Sequence, residues 1–136
     1  MVEQFEIRLP SFKRGYHLIT NIIERELPQL PEKGIVNIFI KHTSAGITIN
    51  ENADPSVRDD FESFMNDLIP EHHNTYTHIF EGSDDMPAHL KASLIGQYIT
   101  IPITNHSLNL GTWQGIYLCE FRNFGGNRLI QVTIIS

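Results

Sequence analysis

The sequence predicts an α+β domain built on largely antiparallel sheet, compact and sandwich-like, with three helices. Three observations carry that expectation. Strand-like runs outnumber helical ones. The order β-α-β-β-α-α-β-β-β-β does not alternate strictly between helix and strand, as a parallel α/β fold would. Apolar residues in the last third recur at a spacing of two, the period of a half-buried strand. A chain of 136 residues is one domain by size, so a single unit spanning residues 1–136 is expected.

The elements follow in order. "FEIRL" (5–9) alternates like a strand, and "HLITNIIEREL" (17–27) sets Ile19, Ile22, Ile23 and Leu27 at helical spacing before Pro28. "GIVNIFIKH" (34–42) is a β-branched run and "GITIN" (46–50) alternates, which predicts a hairpin around "TSAG". Asp54 as N-cap and Pro55 at the first position open a strong helix. Its apolar stripe reads Val57, Phe61, Phe64, Leu68 and ends near Pro70. A shorter helix begins at Asp85 or Met86, with Pro87 in its first turn, and ends near Gly96. Strand-like runs then occupy 98–103, 107–111, 113–121 and 127–135. In the last, Ile130, Val132 and Ile134 share one face, and Gln131 and Thr133 the other. Pro102 inside a strand implies an edge or a bulge.

Composition narrows the functions. Hydrophobic residues at 40% and charged residues at 19% are ordinary for a soluble globular chain. A formal charge of −6 repels polyanions, so neither nucleic acid nor an anionic membrane is an expected partner. No apolar run approaches the ~20 residues of a membrane span. The first residues lack the basic start and apolar centre of a signal peptide, and the one cysteine, Cys119, lies in an apolar strand pattern. A cytoplasmic location is expected. Flanked by strand residues on both sides, Cys119 reads as an inert buried thiol rather than a nucleophile.

The chemistry-bearing residues begin with "DDMPAH". Asp85 and His89 are four apart and share one face of a helix, where a carboxylate and an imidazole can bind a divalent metal or act as an acid–base pair. The alternative is that Asp84 or Asp85 caps the helix and His89 is a surface residue. His42 falls on the face of Val36, Ile38 and Ile40 at the strand's end, so it either bonds a nearby backbone carbonyl or sits at a cavity mouth. Thr43 and Ser44 follow it with two hydroxyls suited to an anion. Glu51 shares its face with Ile47 and Ile49 and needs a cation or donors if directed inward. A tight hairpin would leave it roughly 13 Å from His42, so both would serve one site only across a subunit boundary or an irregular turn. His78 stands just before the acidic stretch and is a further ligand candidate. His72 and His73 read as loop residues, and His17 as the start of a helix. "GTWQG" (111–115) is either a turn that brings its backbone to a ligand or a corner packed by Trp113.

Several stretches together carry a family resemblance: "KHTSAGITINENADPSVRDDFE", "EGSDDMPAHLKASLIG", "TIPI" and "LNLGTWQGIYLCEFRNFGGNR". They closely resemble the YjbQ-like family over nearly the whole chain from residue 35 on, with "GTWQGIYLCE" as the signature region. The resemblance implies a sandwich-like α+β domain that assembles as a homotrimer. It also implies the weak activity behind the label secondary thiamine-phosphate synthase, which joins a pyrimidine diphosphate to a thiazole phosphate and releases pyrophosphate. Carried onto this sequence, the polar motif positions match His42, Glu51, Asp85 and His89 as candidate catalytic groups. They match Thr43, Ser44, Asn50, Lys91, Thr112, Trp113 and Gln114 as candidate groups for a phosphorylated small molecule. His42, His78, Asp84 and His89 are the candidate ligands for a divalent metal, zinc or magnesium. Asn52, Asp54 and Gly111 also match motif positions. One departure is His106, where members usually carry glycine. The competing readings are a non-catalytic trimer that holds a metal or an anion, and a purely structural trimer.

Overall fold

The computed structural model describes residues 1–136. The chain runs β1 (Val2–Arg8), β2 (Gly15–Leu18), α1 (Thr20–Glu26), β3 (Lys33–Ile40), β4 (Ala45–Glu51), α2 (Pro55–Leu68), α3 (Asp85–Ile95), β5 (Tyr98–Thr104), β6 (Ser107–Leu108), β7 (Gln114–Glu120) and β8 (Leu129–Ile135). All pairings are antiparallel, in a five-stranded sheet ordered β1-β8-β3-β5-β6 and a three-stranded sheet ordered β2-β7-β4. This is the expected α+β architecture with three helices.

The main core lies between the sheets, because each strand turns its alternate apolar residues inward. Ile7, Val36, Ile38, Ile40, Ile101, Ile103, Ile130, Val132 and Ile134 come from the larger sheet. Ala45, Ile47, Ile116 and Leu118 meet them from the smaller one, with Ile19 and Ile23 closing one end. The other face of the small sheet carries Tyr16, Tyr117 and Cys119, which pack with Met65, Ala88 and Ala92 of α2 and α3. Cys119 is fully buried there, and burial pushes its thiol pKa up. The outer face of the larger sheet has no helix on it, so Phe39, Tyr98, Ile35, Ile135 and Val2 stay exposed.

The element boundaries of α2 and α3 follow the sequence signals. Asp54 caps α2 by accepting from Ser56 N–H at 2.9 Å, and Pro55 is its first residue. Pro102 causes no loss to β3, since its carbonyl faces β6 and accepts from Asn109 N–H at 2.8 Å. A two-residue loop joins β5 to β6 through Asn105 and His106, both left-handed at φ 51° and 64°. A glycine would suit that turn. His106 holds it instead by donating Nδ1–H to the Leu30 carbonyl at 2.9 Å.

Three expectations are corrected. β3 and β4 are not a hairpin: β3 pairs with β5 and β8, β4 with β7, and residues 41–44 cross from one sheet to the other. Both strands bury isoleucines in the same core from opposite sides, which a periodicity reading cannot distinguish from pairing. His17 does not begin a helix. With Leu18 it pairs with β7, and α1 starts at Thr20, after Ile19 N–H bonds the Ile116 carbonyl at 2.8 Å. The inward stripe of α2 is Val57, Phe61 and Met65, whereas Phe64 is 66% exposed and Leu68 54%. Polar contacts set that rotation: Asn66 Oδ1 accepts from Arg14 Nη2 at 2.6 Å and from Lys91 Nζ at 2.7 Å.

β4 approaches the end of α3 closely. Ile47 N–H bonds the Gly96 carbonyl at 3.1 Å, and a Cβ on Gly46 would stand 3.1 Å from that same oxygen. This contact and the crossing 41–44 place the start of β4 against the helix that carries the site.

Candidate metal centre

Three side chains converge at the N-terminal end of α3. Their ligand atoms, from His78, Asp85 and His89, all lie within 4.8 Å of one another. Asp85 is the hub: its Oδ2 lies 2.6 Å from His78 Nε2 and 3.2 Å from His89 Nε2. The helix supplies Asp85 and His89 at i, i+4, and the loop before it brings in His78. The Asp85 side chain is 2% exposed and the two imidazoles are partly open. Burial works against the Asp85 charge. The hydrogen bond from His78 and the neighbouring His89 and Arg122 outweigh it, and the carboxyl sits below the usual carboxylate range.

The protons decide what this cluster can do. His89 Nδ1 lies 3.0 Å from the Thr43 carbonyl, which can only accept, so Nδ1 carries a hydrogen. In the neutral ring Nε2 is then a lone pair facing a carboxylate oxygen at 3.2 Å. Two lone pairs at that distance need a second proton on the ring or a cation between them. A backbone carbonyl holding the remote ring nitrogen is also the usual way a metal-binding histidine is oriented. Around one ion with ligands at ~2.1 Å, ligand atoms stand roughly 3–3.5 Å apart; the His89–Asp85 separation lies in that range, while His78 Nε2 at 2.6 Å is hydrogen-bonded to Asp85 and would move outward to admit an ion. Beside His78 opens a cleft of about 470 Å³ lined by His72, His73, Tyr76, Ile79, Ser83 and Met86, among others.

Arg122 was not anticipated. It reaches from the loop after β7 to bond Asp84 Oδ2 through Nε at 2.9 Å, Asp85 Oδ1 through Nη1 at 2.5 Å, and the Glu81 carbonyl through Nη2 at 3.0 Å. Asp84 occupies the N-cap position yet makes no capping bond. Its Oδ2 also accepts from Asn123 N–H at 2.9 Å. Burial opposes the Asp84 charge, and the Asn123 amide and Arg122 still hold its pKa down. The sequence holds only a partial signal, an arginine at a strand end in "EFRNF"; that two adjacent aspartates are buried and so require a cation is visible only in the fold.

The remaining candidates lie elsewhere. His42 Nε2 accepts from Leu129 N–H at 2.8 Å, so it bonds a backbone amide as acceptor where a backbone carbonyl was expected. Ser44 is buried, and its carbonyl accepts from Arg128 Nη2 at 3.3 Å. Thr43 contributes its carbonyl rather than its hydroxyl. Lys91 is 1% exposed, bonded to Asn66 and 5.9 Å over the Phe121 ring, and burial lowers its pKa. Glu51 Oε2 accepts from Ala53 and Asp54 N–H at 3.2 and 2.8 Å, closing the turn into α2. Asn50 Oδ1 accepts from Glu51 N–H at 2.8 Å. Asn52 Nδ2 bridges the Thr112 and Gln114 carbonyls at 3.1 Å each, Gln114 Oε1 accepts from Gly111 N–H at 2.8 Å, and Trp113 is 64% exposed. Glu51 pairs with Gln114 at one end of the small sheet, while Ala45 pairs with Glu120 at the other. Six residue steps separate those ends, about 20 Å, so one chain holds two polar sets rather than one.

His42 gives a pH prediction. Burial, then the Arg128 charge, lowers its folded pKa below the ordinary histidine value of about 6.5. A depressed histidine pKa means the unfolded chain binds the proton first. The His42 contribution is therefore fully present above about pH 6.5 and is lost as pH falls toward the folded pKa. Urea midpoints should drop between about pH 7.5 and pH 5, and His42→Gln, which keeps an acceptor for Leu129, should remove part of that slope. An identical slope in the variant would reject the assignment.

A family model described as "UPF0047 protein YjbQ-like" matches residues 4–136. The chain belongs to this family. Among YjbQ-like relatives, the UPF0047 protein YjbQ of Escherichia coli O157:H7 is 41% identical over 133 residues, covering 96% of each chain. A UPF0047 protein of Methanocaldococcus jannaschii is 53% identical over 121 residues, 89% of this chain and 85% of its own. Among solved structures, a conserved hypothetical protein of Thermus thermophilus superposes with a TM-score of 0.83 at 32% identity, covering 94% and 97% of the two chains. A yjbq/upf0047 family protein of Clostridium acetobutylicum gives 0.77 at 37% identity, covering 98% and 99%. The YjbQ-like fold and the α+β reading thus agree. No helix of the protein is long and apolar enough to cross a membrane.

Proposed function

We propose that the protein is a metal-dependent enzyme acting on a small phosphorylated molecule, with its ion held by His78, Asp85 and His89. The observation that carries this reading is the convergence of His78, Asp85 and His89 ligand atoms within 4.8 Å, with His89 Nδ1 turned to the Thr43 carbonyl and its Nε2 aimed at Asp85 Oδ2. Two imidazoles and one carboxylate leave an ion with open positions, the arrangement of a catalytic rather than a structural site. A divalent ion there supplies positive charge and polarises a bound oxygen. The chain's own groups orient the ligands, through Thr43 and Arg122, and the adjoining cleft offers His72, His73 and Ser83 to a substrate.

The finer proposal is the transferase reaction implied by the family label, with pyrophosphate as leaving group. Departure of a diphosphate requires positive charge. Lys91 is buried and Arg122 is committed to two aspartates, so the ion is the group that would provide it. We further propose a homotrimer. The bare apolar face of the larger sheet supports self-association. A neighbouring subunit could also bring its Glu51 and Trp113 end to the metal of the next. Neither nucleic acid nor a membrane is a proposed partner, and the proposed location is cytoplasmic.

Plasma mass spectrometry of untagged, dialysed protein tests the reading, alongside His89→Ala and with the particle mass taken from sedimentation. The expected result is about one transition ion per chain, lost in the variant, in a three-chain particle whose melting temperature rises with phosphorylated ligands. Metal without turnover on any of them would favour a binding module. No metal and no ligand shift would overturn the proposal.

A further inference from the structure

The geometry points to Arg122 as the residue that selects the metal. This inference rests on the metal reading above and deepens it. A carboxylate has two oxygens, and at Asp85 they are divided: Oδ1 is held by Arg122 Nη1 at 2.5 Å, and Oδ2 faces the two imidazoles at 2.6 and 3.2 Å. The guanidinium cannot swing away to release Oδ1. Its Nε is bonded to Asp84 Oδ2 at 2.9 Å and its Nη2 to the Glu81 carbonyl at 3.0 Å, and Asp84 is itself fixed by the Asn123 amide at 2.9 Å. Arginine is permanently charged and its donors form a rigid fork, so the carboxylate plane is set before any ion arrives.

A carboxylate held in this way binds an ion through one oxygen only. Calcium prefers six to eight oxygen ligands, often including bidentate carboxylates, so a single available oxygen disfavours it, whereas magnesium is disfavoured by the imidazoles, since it takes an octahedron of oxygens. Two imidazole nitrogens with a single carboxylate oxygen instead form a three-ligand set suited to zinc or another borderline transition ion. Arg122 is thus a positioning residue. It touches neither ion nor substrate, and it acts by limiting what Asp85 can offer.

Apoprotein titrated separately with Zn²⁺ and Ca²⁺ against a competing chelator tests this, with Co²⁺ absorption reporting coordination number. The wild-type protein should prefer zinc strongly and give the intense cobalt spectrum of a four-coordinate site. Arg122→Met should lose about 10–100-fold in zinc affinity, the range for loss of a group that orients a metal ligand. It should lose no calcium affinity and should give a weak cobalt spectrum of higher coordination. Arg122→Lys, which keeps the charge but not the fork, should fall between, and it carries the test if the methionine variant fails to fold. Asp84→Asn should shift zinc affinity less than either. Unchanged zinc affinity and cobalt spectrum in a folded Arg122 variant would overturn the inference and leave the metal site standing, as would equal wild-type affinity for the two ions. A wild-type protein that binds no ion would remove the metal reading and this inference together.

Discussion

Arg128→Met is expected to destabilise the protein by about 3–5 kcal/mol, the usual result of breaking a buried ion pair from one side. For a chain of this size that is a fall in melting temperature of roughly 10–20 °C. Arg128 is 4% exposed and Glu120 is fully buried. Two parallel hydrogen bonds join them, Nε to Oε1 at 2.7 Å and Nη2 to Oε2 at 2.5 Å. Methionine would leave the Glu120 carboxylate with only the Arg122 amide, at 3.2 Å. Glu120 lies directly against Gly125, where a Cβ would overlap its Oε1. The companion test is the double variant Glu120→Leu, Arg128→Met, which removes both charges and should recover most of the loss. Thermal melts of the two variants decide it. A double variant as unstable as the single one would show that packing rather than the stranded charge sets the cost.

Asp85→Asn is expected to abolish metal binding while sparing the fold. Arg122 Nη1 demands an acceptor, so the asparagine oxygen must take the place of Oδ1. The amide NH₂ then points at His78 and His89, where the charged oxygen now lies. That puts an NH₂ donor where the imidazoles met an acceptor and removes the negative ligand, a larger change than the losses of about 10–100-fold that follow when only a ligand's supporting group is removed. Arg122 keeps Asp84 and the Glu81 carbonyl, so stability should fall by only about 1–2 kcal/mol. The pair of readouts is bound metal after dialysis and the melting curve of the chelator-treated proteins. Retained metal in Asp85→Asn would remove Asp85 from the ligand set.

Much of this was legible in the sequence where local chemistry decides the structure. The alternation of Ile130, Val132 and Ile134, the Asp54–Pro55 start of α2, and the shared face of Asp85 and His89 all depend on neighbours a few residues away. What was not legible depends on distant partners. An apolar strand looks the same whichever sheet it joins, so β3 and β4 read as a hairpin although they face each other across the core. Tyr16–Leu18 is a strand only because β7 lies beside it. Phe64 and Leu68 fit an apolar stripe, but Arg14 and Lys91 turn Asn66 inward instead. At the site, residue types identified His78 and His89. Their orientation by Thr43 and Arg122, 46 and 37 residues away from His89 and Asp85 respectively, needed the fold. For the same reason Glu51 and the "GTWQG" turn, grouped with the histidines by chemical type, stand at the far end of the sheet.

The crossing 41–44 has a spectroscopic consequence. Three of its residues bond to different parts of the molecule: His42 to Leu129, Thr43 to His89, and Ser44 to Arg128. The first of these bonds is unusual for a strand amide, because its acceptor is an imidazole nitrogen that can itself take up a proton. The nitrogen-15 resonance and solvent exchange of the Leu129 amide therefore follow the state of that ring directly. Since the next residue in the crossing bonds His89, one backbone signal in β8 reports on the segment that reaches the candidate site.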